Sequence, residues 1–405
     1  MSPLVVTKDR ARSGRETGVG SIKIFRVGQF NMDALLMAAC ICLLVIGYIM
    51  VVSSSLHLGV KMSGSELYYP IRQLMHIGLG LFLGGCVVAV PMQYWENAGP
   101  WLFLFGLLLL VMVLIPGLGI KVNGSVRWMS IAGLRIQVSE VVKFFAVIYM
   151  AGYVTRHQQS VRDSAFGLVR PLLLFSLACI LLLLEPDFGS AVVILIIAMG
   201  IMFLAGARIS QFVVLLLSVA VLAMLLIYFS PYRWARVTSF IRPWDDPLGT
   251  DFQLVQALIS FGRGEWFGVG LGSGIQKMFY LPEAHTDFLF SVIAEELGLL
   301  GVFTIIGLFA FLTWRAFEIA LAAEQAGQAF SSFVAYGLGI WFGFQSFVNM
   351  GVNMGILPTK GLTLPLMSYG GGSMMIMCCA VALLFRVHSE VLQTTANDSK
   401  KRRHD

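Results

Sequence analysis

The chain has 405 residues, 58% hydrophobic and only 12% charged, with a formal net charge of +6 at pH 7. Soluble domains carry roughly 25% charged residues, so this composition excludes an ordinary soluble fold and indicates an all-α polytopic membrane protein. The basic clusters lie at the two ends and lack aromatic interleaving, which argues for a membrane surface and against nucleic acid.

In chain order, residues 1–33 form a basic arm carrying Lys8, Arg10, Arg12, Arg15, Lys23 and Arg26. The first apolar run, "LLMAACICLLVIGYIMVV" (35–52), is of full membrane length and follows a long basic arm. It reads as a signal anchor and not as a cleaved signal peptide. Ten spans are predicted, at about 34–54, 74–90, 100–116, 141–156, 171–185, 188–206, 210–229, 286–314, 329–355 and 366–387. They make a membrane domain over 34–387, followed by a basic tail over 388–405 with Lys400, Lys401, Arg402 and Arg403. The positive-inside rule puts both tails in the cytoplasm and the long 230–285 loop, between spans seven and eight, in the periplasm. Arg156, Arg162, Arg170, Arg208 and Arg315 fall on the inner side, while Lys61, Arg72, Lys121, Arg127 and Arg135 fall outside, so the bias is real but not clean. The six cysteines (40, 42, 86, 179, 378, 379) lie in apolar runs with no zinc spacing and read as small packing residues.

Three segments break the apolar pattern: 117–143, the 230–285 loop with its "SFGRGEWFGVGLGSGIQ", and 355–373. All three fall on the outer face in this topology. Irregular backbone near membrane depth must be buried in protein or line a wet cavity, so a shared outward-facing site is expected.

The chemistry-bearing residues cluster there. Asp287 begins the eighth span, after Pro282. Two readings are open: a helix-N-terminal acid or cap shared with Thr286, or a general base tuned by partial burial. Glu283 is the nearby alternative, and Glu295 and Glu296 lie two turns deeper, where ionisable groups are costly and functional by default. Glu140 and Lys143 in "SEVVK" share a helix face. They read either as a snorkelling interfacial pair, or with Lys143 as a buried cation awaiting an acid or a phosphate. Such a cation would hold Asp287 ionised. In "LEPDFGS" (184–190), Glu185 and Asp187 flank Pro186 in a turn or in a metal or sugar-hydroxyl site. Arg233, Arg236 and Arg242, among Trp234, Phe240 and Trp244, suit a solvated loop or the grip of a diphosphate headgroup. "LPTKGLTLPLMSYGGGS" cannot be an uninterrupted helix and reads as a re-entrant loop presenting Lys360, Ser368 and Tyr369.

At "NGSVRWM", "SEVVKF", "EPDFGS", "YRWARVTSFIRPW", "LPEAHTDFLFSVIAEELG" and "LPTKGLTLPLMSYGGGS" the sequence resembles the SEDS family of shape, elongation, division and sporulation proteins, from about residue 30 to 390. "PTKG" and the basic arm resemble the division member more than the elongation member. The resemblance implies a ten-helix fold and a peptidoglycan glycosyltransferase that polymerises lipid II outside the bacterial inner membrane, at the septum, with release of undecaprenyl diphosphate. It makes Asp287 the essential aspartate and Lys143 the buried family lysine, beside Glu140. Arg127, Arg233, Arg236, Arg242, Glu283, His285, Lys360, Ser368 and Tyr369 become candidate substrate contacts. Asp287 and Asp187 become candidate ligands for Mg²⁺ or Mn²⁺ at the diphosphate. The implied partners are lipid II, a class B penicillin-binding transpeptidase of the FtsI type, and division membrane proteins of the FtsQ, FtsL, FtsB and FtsN type. Two positions depart from the family pattern: Val138 stands where proline is usual and Gly372 where serine is usual. An elongation polymerase of the same family, a lipid II flippase or other transporter, and a non-catalytic division scaffold are the alternatives.

Overall fold

The computed structural model describes residues 24–27, 30–122, 125–131, 133–230, 252–358 and 361–404, with positions 234, 240, 242–245, 247 and 249 between. The described helices are α1 (Ala34–Ser63), α2 (Tyr68–Ala89), α3 (Met92–Leu114), α4 (Val138–Arg156), α5 (Gln158–Asp163), α6 (Ala165–Leu184), α7 (Phe188–Leu204), α8 (Ile209–Tyr228), α9 (Phe252–Gly264), α10 (Leu289–Gln325), α11 (Ala329–Asn353) and α12 (Gly371–His404). Each predicted span overlaps one helix, leaving only the short α5 and the amphipathic α9 outside that set. Among the described residues seven helices are long and apolar enough to cross a membrane, and α7 and the Ile209–Leu222 part of α8 are shorter apolar stretches. α11 is not among them, because one of its buried faces carries Gln345, Ser346, Asn349 and Asn353.

Three helices start six or more residues earlier than expected: α2 begins at Tyr68 against a predicted 74, and α3 and α6 extend likewise. The spans predicted from Pro100 and Pro171 begin at Met92 and Ala165, and both prolines sit inside their helices. Packed membrane helices tolerate proline because neighbouring groups re-satisfy the freed backbone. α12 runs on without interruption from the predicted span through the basic segment to His404.

The first broken segment is a small antiparallel meander of β3 (Gly119–Val122), β4 (Ser125–Ile131) and β5 (Leu134–Gln137), with Gly119 opposite Met129 and Trp128 opposite Gln137. A second hairpin, β1 (Ile24–Val27) with β2 (Phe30–Asp33), precedes α1. Short runs rich in valine, isoleucine and tryptophan suit a pleated surface, so sheet is added to a fold that stays helical.

α4 and α12 lie innermost, each 83% buried over its apolar window, against 28% for α2 and α10. Around α4, Phe103 stacks on Tyr149 at 4.8 Å and on Phe175 at 5.0 Å. α2 meets α12 closely because a Cβ at Gly84 would stand 3.3 Å from the Ala382 Cβ, and one at Gly80 3.0 Å from the Cys378 sulfur. Small residues four apart permit such approach where no hydrophobic force drives helices together.

α10 breaks at Gly298 (φ 67°, ψ −165°), a conformation open essentially to glycine alone. The glycine-rich segment 264–277 threads into the break. Leu299 and Leu300 donate to the carbonyls of Glu265 and Trp266, while Val269 and Gly270 donate to those of Glu295 and Glu296. The two buried acids complete the strap. Glu295 accepts from the Ile275 backbone at 2.9 Å and pairs with Arg263 at 3.3 Å. Glu296 takes Lys277 at 2.5 Å, Ser53 at 2.8 Å and the Gly272 backbone at 3.0 Å. The functional reading of Glu295 and Glu296 is therefore corrected: they hold the strap to α10 and α1. At the far end of the bundle, Asp33 caps α1 through Leu35 and Leu36 and pairs with Arg315 of α10, which also binds Glu318.

Candidate active site

The loop 281–288 delivers Asp287 to the start of α10. Glu283 has a left-handed backbone (φ 57°), and its carbonyl takes the N–H groups of Thr286 and Phe288, while its carboxylate accepts from the Thr286 hydroxyl at 2.8 Å. The N-cap of α10 is Phe288, with no side-chain cap. Asp287 is thus not spent on capping. Its half-buried carboxylate lies against Gly361, where a Cβ would stand 3.0 Å from Oδ2. Burial pushes this carboxyl up to about 7, Glu283 and Asp187 push in the same direction, and Arg127 partly offsets them.

The turn 185–187 faces this carboxylate from α6 and α7. Arg127 of β4 clamps the turn, donating from Nε to the Glu185 carbonyl at 3.2 Å and from Nη2 to the Pro186 carbonyl. Asp187 caps α7, accepting from the Ser190 backbone at 3.2 Å and from the Gln137 side chain at 3.4 Å. Glu185 is fully buried with neither carboxylate oxygen hydrogen-bonded, and burial, with Asp187 beside it, lifts it to about 8. Asp287, Asp187 and Arg127 therefore act on one another electrostatically where the first broken segment approaches the Asp287 loop.

Lys143 lies beneath, fully buried, donating to Glu140 at 2.7 Å and to the Gln345 side-chain oxygen at 2.8 Å. Gln345 also accepts from Trp341 at 2.8 Å and donates to the Thr363 carbonyl at 3.0 Å. This burial rules out snorkelling. The expected pairing of Lys143 with Asp287 is not made, because both of its acceptors belong to the packing beneath the 361–370 loop.

That loop supplies the third wall. Ser368 is buried and its hydroxyl accepts from the Leu364 backbone at 2.9 Å, closing the loop on itself. Tyr369 donates its backbone N–H to the His285 carbonyl at 2.9 Å. Its ring meets those of Tyr69 at 5.2 Å and His285 at 5.4 Å. His285 is buried with Nδ1 unpartnered, and burial lowers its pKa. At Gly372 a Cβ would stand 2.7 Å from the Gln137 nitrogen, so the site has no room for the serine usual in the family pattern.

The structure thus brings Asp287, Glu283, His285, Arg127, Asp187, Ser368 and Tyr369 to one end of the bundle, with Glu140 and Lys143 below. Arg242 stands apart, exposed and paired only loosely with Asp245 at 4.0 Å. Arg233, Arg236 and Lys360 lie outside the described residues. Among the described residues no three acidic, histidine or cysteine side chains gather as cation ligands, and both oxygens of Asp187 are already engaged. Among the described residues the protein alone assembles no Mg²⁺ or Mn²⁺ site. The sequence reading passed over Gln345, Asn349 and Asn353; three amides four residues apart in an apolar helix were the available signal.

These features define a polytopic helical membrane protein with one carboxylate-centred site at one end of its bundle. The chain belongs to the FtsW/RodA/SpoVE family of cell cycle proteins, which matches residues 33–393. It is 62% identical to a probable peptidoglycan glycosyltransferase FtsW of Methylomonas methanica, over 92% of this chain and 96% of that one. It is 55% identical to the protein of the same description from Methylococcus capsulatus, over 94% and 96%. Among solved structures it is similar to a chain of a peptidoglycan synthase complex that coordinates polymerisation and crosslinking, at 30% identity and TM-score 0.73, covering 89% of this chain and 99% of that one. It is also similar to the rod shape determining protein RodA of Thermus thermophilus, at 27% identity and TM-score 0.65, covering 88% and 96%. The SEDS resemblance and the FtsW-like character expected from the motifs are thereby established.

Proposed function

We propose that this chain is a peptidoglycan glycosyltransferase of cell division, polymerising lipid II in the inner membrane with its site facing the periplasm. The supporting observation is Asp287: a carboxylate titrating near neutrality, at the meeting point of three irregular segments, in a chain 62% identical to an FtsW protein. Joining two sugars this way requires a base on the acceptor hydroxyl and a neutralised diphosphate leaving group. Asp287 takes the hydroxyl proton. The freed oxygen attacks the anomeric carbon from the face opposite the diphosphate, whose bond to that carbon breaks with inversion. The lipid diphosphate leaves with the bonding electrons, and Arg127 is a cation at the site able to balance its charge. A divalent cation would enter only with the diphosphate, as Mg²⁺ bound through phosphates and one or two carboxylates commonly does.

The complex that coordinates polymerisation with crosslinking supports a transpeptidase of the FtsI type as the partner. Division proteins of the FtsQ, FtsL, FtsB and FtsN type are proposed with it, and the septum as the place of action. The deciding experiment supplies purified protein with lipid II in detergent, where a flippase or scaffold has nothing to do. Glycan chains of increasing length are expected. Unchanged lipid II, with the transpeptidase partner present, would overturn the reading.

A further inference from the structure

The carboxylate of Asp287 packs against Gly361 and makes no side-chain hydrogen bond among the described residues. Its backbone carbonyl, by contrast, is doubly engaged. The Asp287 carbonyl accepts from Asn349 Nδ2 at 2.9 Å and from Asn353 Nδ2 at 3.0 Å. A carbonyl oxygen offers two lone pairs, and both are used here by one face of α11.

Each amide is tied to a second structure. Asn349 also donates to the Leu362 carbonyl at 2.6 Å, joining the Asp287 loop to the loop that carries Ser368 and Tyr369. The Asn353 oxygen accepts from the Ser291 backbone at 3.1 Å and the Ser291 hydroxyl at 2.7 Å, and its nitrogen donates back to the Asn349 carbonyl at 2.9 Å. Asn349 and Asn353 are 2% and 0% exposed, deep enough that a lost partner would not be replaced by water. A buried network with its members satisfied permits one arrangement and resists others.

We infer that Asn349 and Asn353 are positioning residues for the reaction: together they clamp the Asp287 carbonyl and so set the aim of its carboxylate. This rests on the reading of Asp287 as the general base. Neither asparagine need touch substrate. Their effect passes through the backbone of residue 287, and positioning errors of about 1 Å cost on the order of 10²-fold in rate.

The test uses the purified full-length protein with lipid II and the leucine variants Asn349→Leu and Asn353→Leu, each made in the wild-type and the Asp287→Asn backgrounds. Each variant is expected to lower kcat about 10- to 100-fold with KM within about twofold. The acid limb of the pH–rate profile should move down by a unit or more, as the loosened carboxylate reaches water. In the Asp287→Asn background the same substitutions should cost nothing further, because the clamp then has no base to aim. A kcat within twofold of wild type, or a loss that adds in full to that of Asp287→Asn, would overturn the inference. Near-wild-type polymerisation by Asp287→Asn alone would instead remove the base assignment, and the clamp with it. Should the leucine variants fail to fold, Asn349→Ser and Asn353→Ser, too short to reach the carbonyl, carry the same outcomes.

Discussion

Lys143 donates to the side-chain oxygen of Gln345 at 2.8 Å, linking α4 to α11 beneath the loop that carries Tyr369. With Glu140 at 2.7 Å the lysine forms a buried ion pair, with side chains 0% and 2% exposed. Removing one partner of such a pair strands the other charge and costs about 3–5 kcal/mol, whereas removing both is often nearly neutral. Lys143→Met should therefore lower the thermal unfolding midpoint sharply. Glu140→Gln with Lys143→Met should recover most of the loss. Equal stability of the single and double variants would refute this account of the pair.

The break in α10 makes a second prediction. Gly298 occupies a backbone region essentially closed to other residues, and a Cβ there would collide with the backbone of Trp266 and Gly268. Gly298→Ala should displace the strap and destabilise the protein by at least about 1–3 kcal/mol. Glu296→Gln should weaken the same strap by unpairing Lys277. Limited proteolysis within 264–277 reads both, and wild-type resistance in Gly298→Ala would contradict the threading.

The helices were legible in the sequence because long apolar runs have few other solutions, and each predicted span lies on one. Boundaries differed where helices run on past the apolar stretch: α3 and α6 begin before Pro100 and Pro171, and α1 and α10 continue to Ser63 and Gln325. The motif residues were legible as types, and their convergence at one end followed from topology. Their partners were not. Lys143 and Gln345 are 202 positions apart, and Asn349 lies 62 from Asp287, so no local pattern announced either contact. Glu295 and Glu296 misled for the same reason: burial of a charge reads as function until the backbone N–H groups that neutralise it are seen.

The orientation is tested at α9. Gly264 is a poor labelling site, since a Cβ there would collide with the Ala294 carbonyl, whereas Gly262 is exposed with open space around it. Gly262→Cys, in a background freed of the six native cysteines, should react with an impermeant thiol reagent added to the periplasm. Reaction only after the inner membrane is breached would reverse the proposed topology.

Stability and activity should oppose one another at Asp287. Its carboxyl is pushed up from an ordinary value near 4 to about 7, so between those pH values the folded form keeps a proton that the unfolded chain has released. Stability is therefore lost as pH rises through that window. Asp287→Asn escapes the penalty. Its unfolding midpoint should exceed that of wild type by a margin that grows from about pH 4 to pH 7 and is constant above. A margin independent of pH would show that the carboxyl is not shifted in the folded protein.

The most direct measurement is lipid II polymerisation by Asp287→Asn, with its transpeptidase partner, compared with wild type across pH. Wild-type rate should rise with pH through about 7, as Asp287 ionises and becomes able to accept a proton. Asp287→Asn keeps the shape and the backbone clamp but cannot take that proton, and should be slower by about 10²–10⁴-fold at every pH, without the rise. Glycan made by Asp287→Asn at a near-wild-type rate would contradict the assignment of Asp287 as the base.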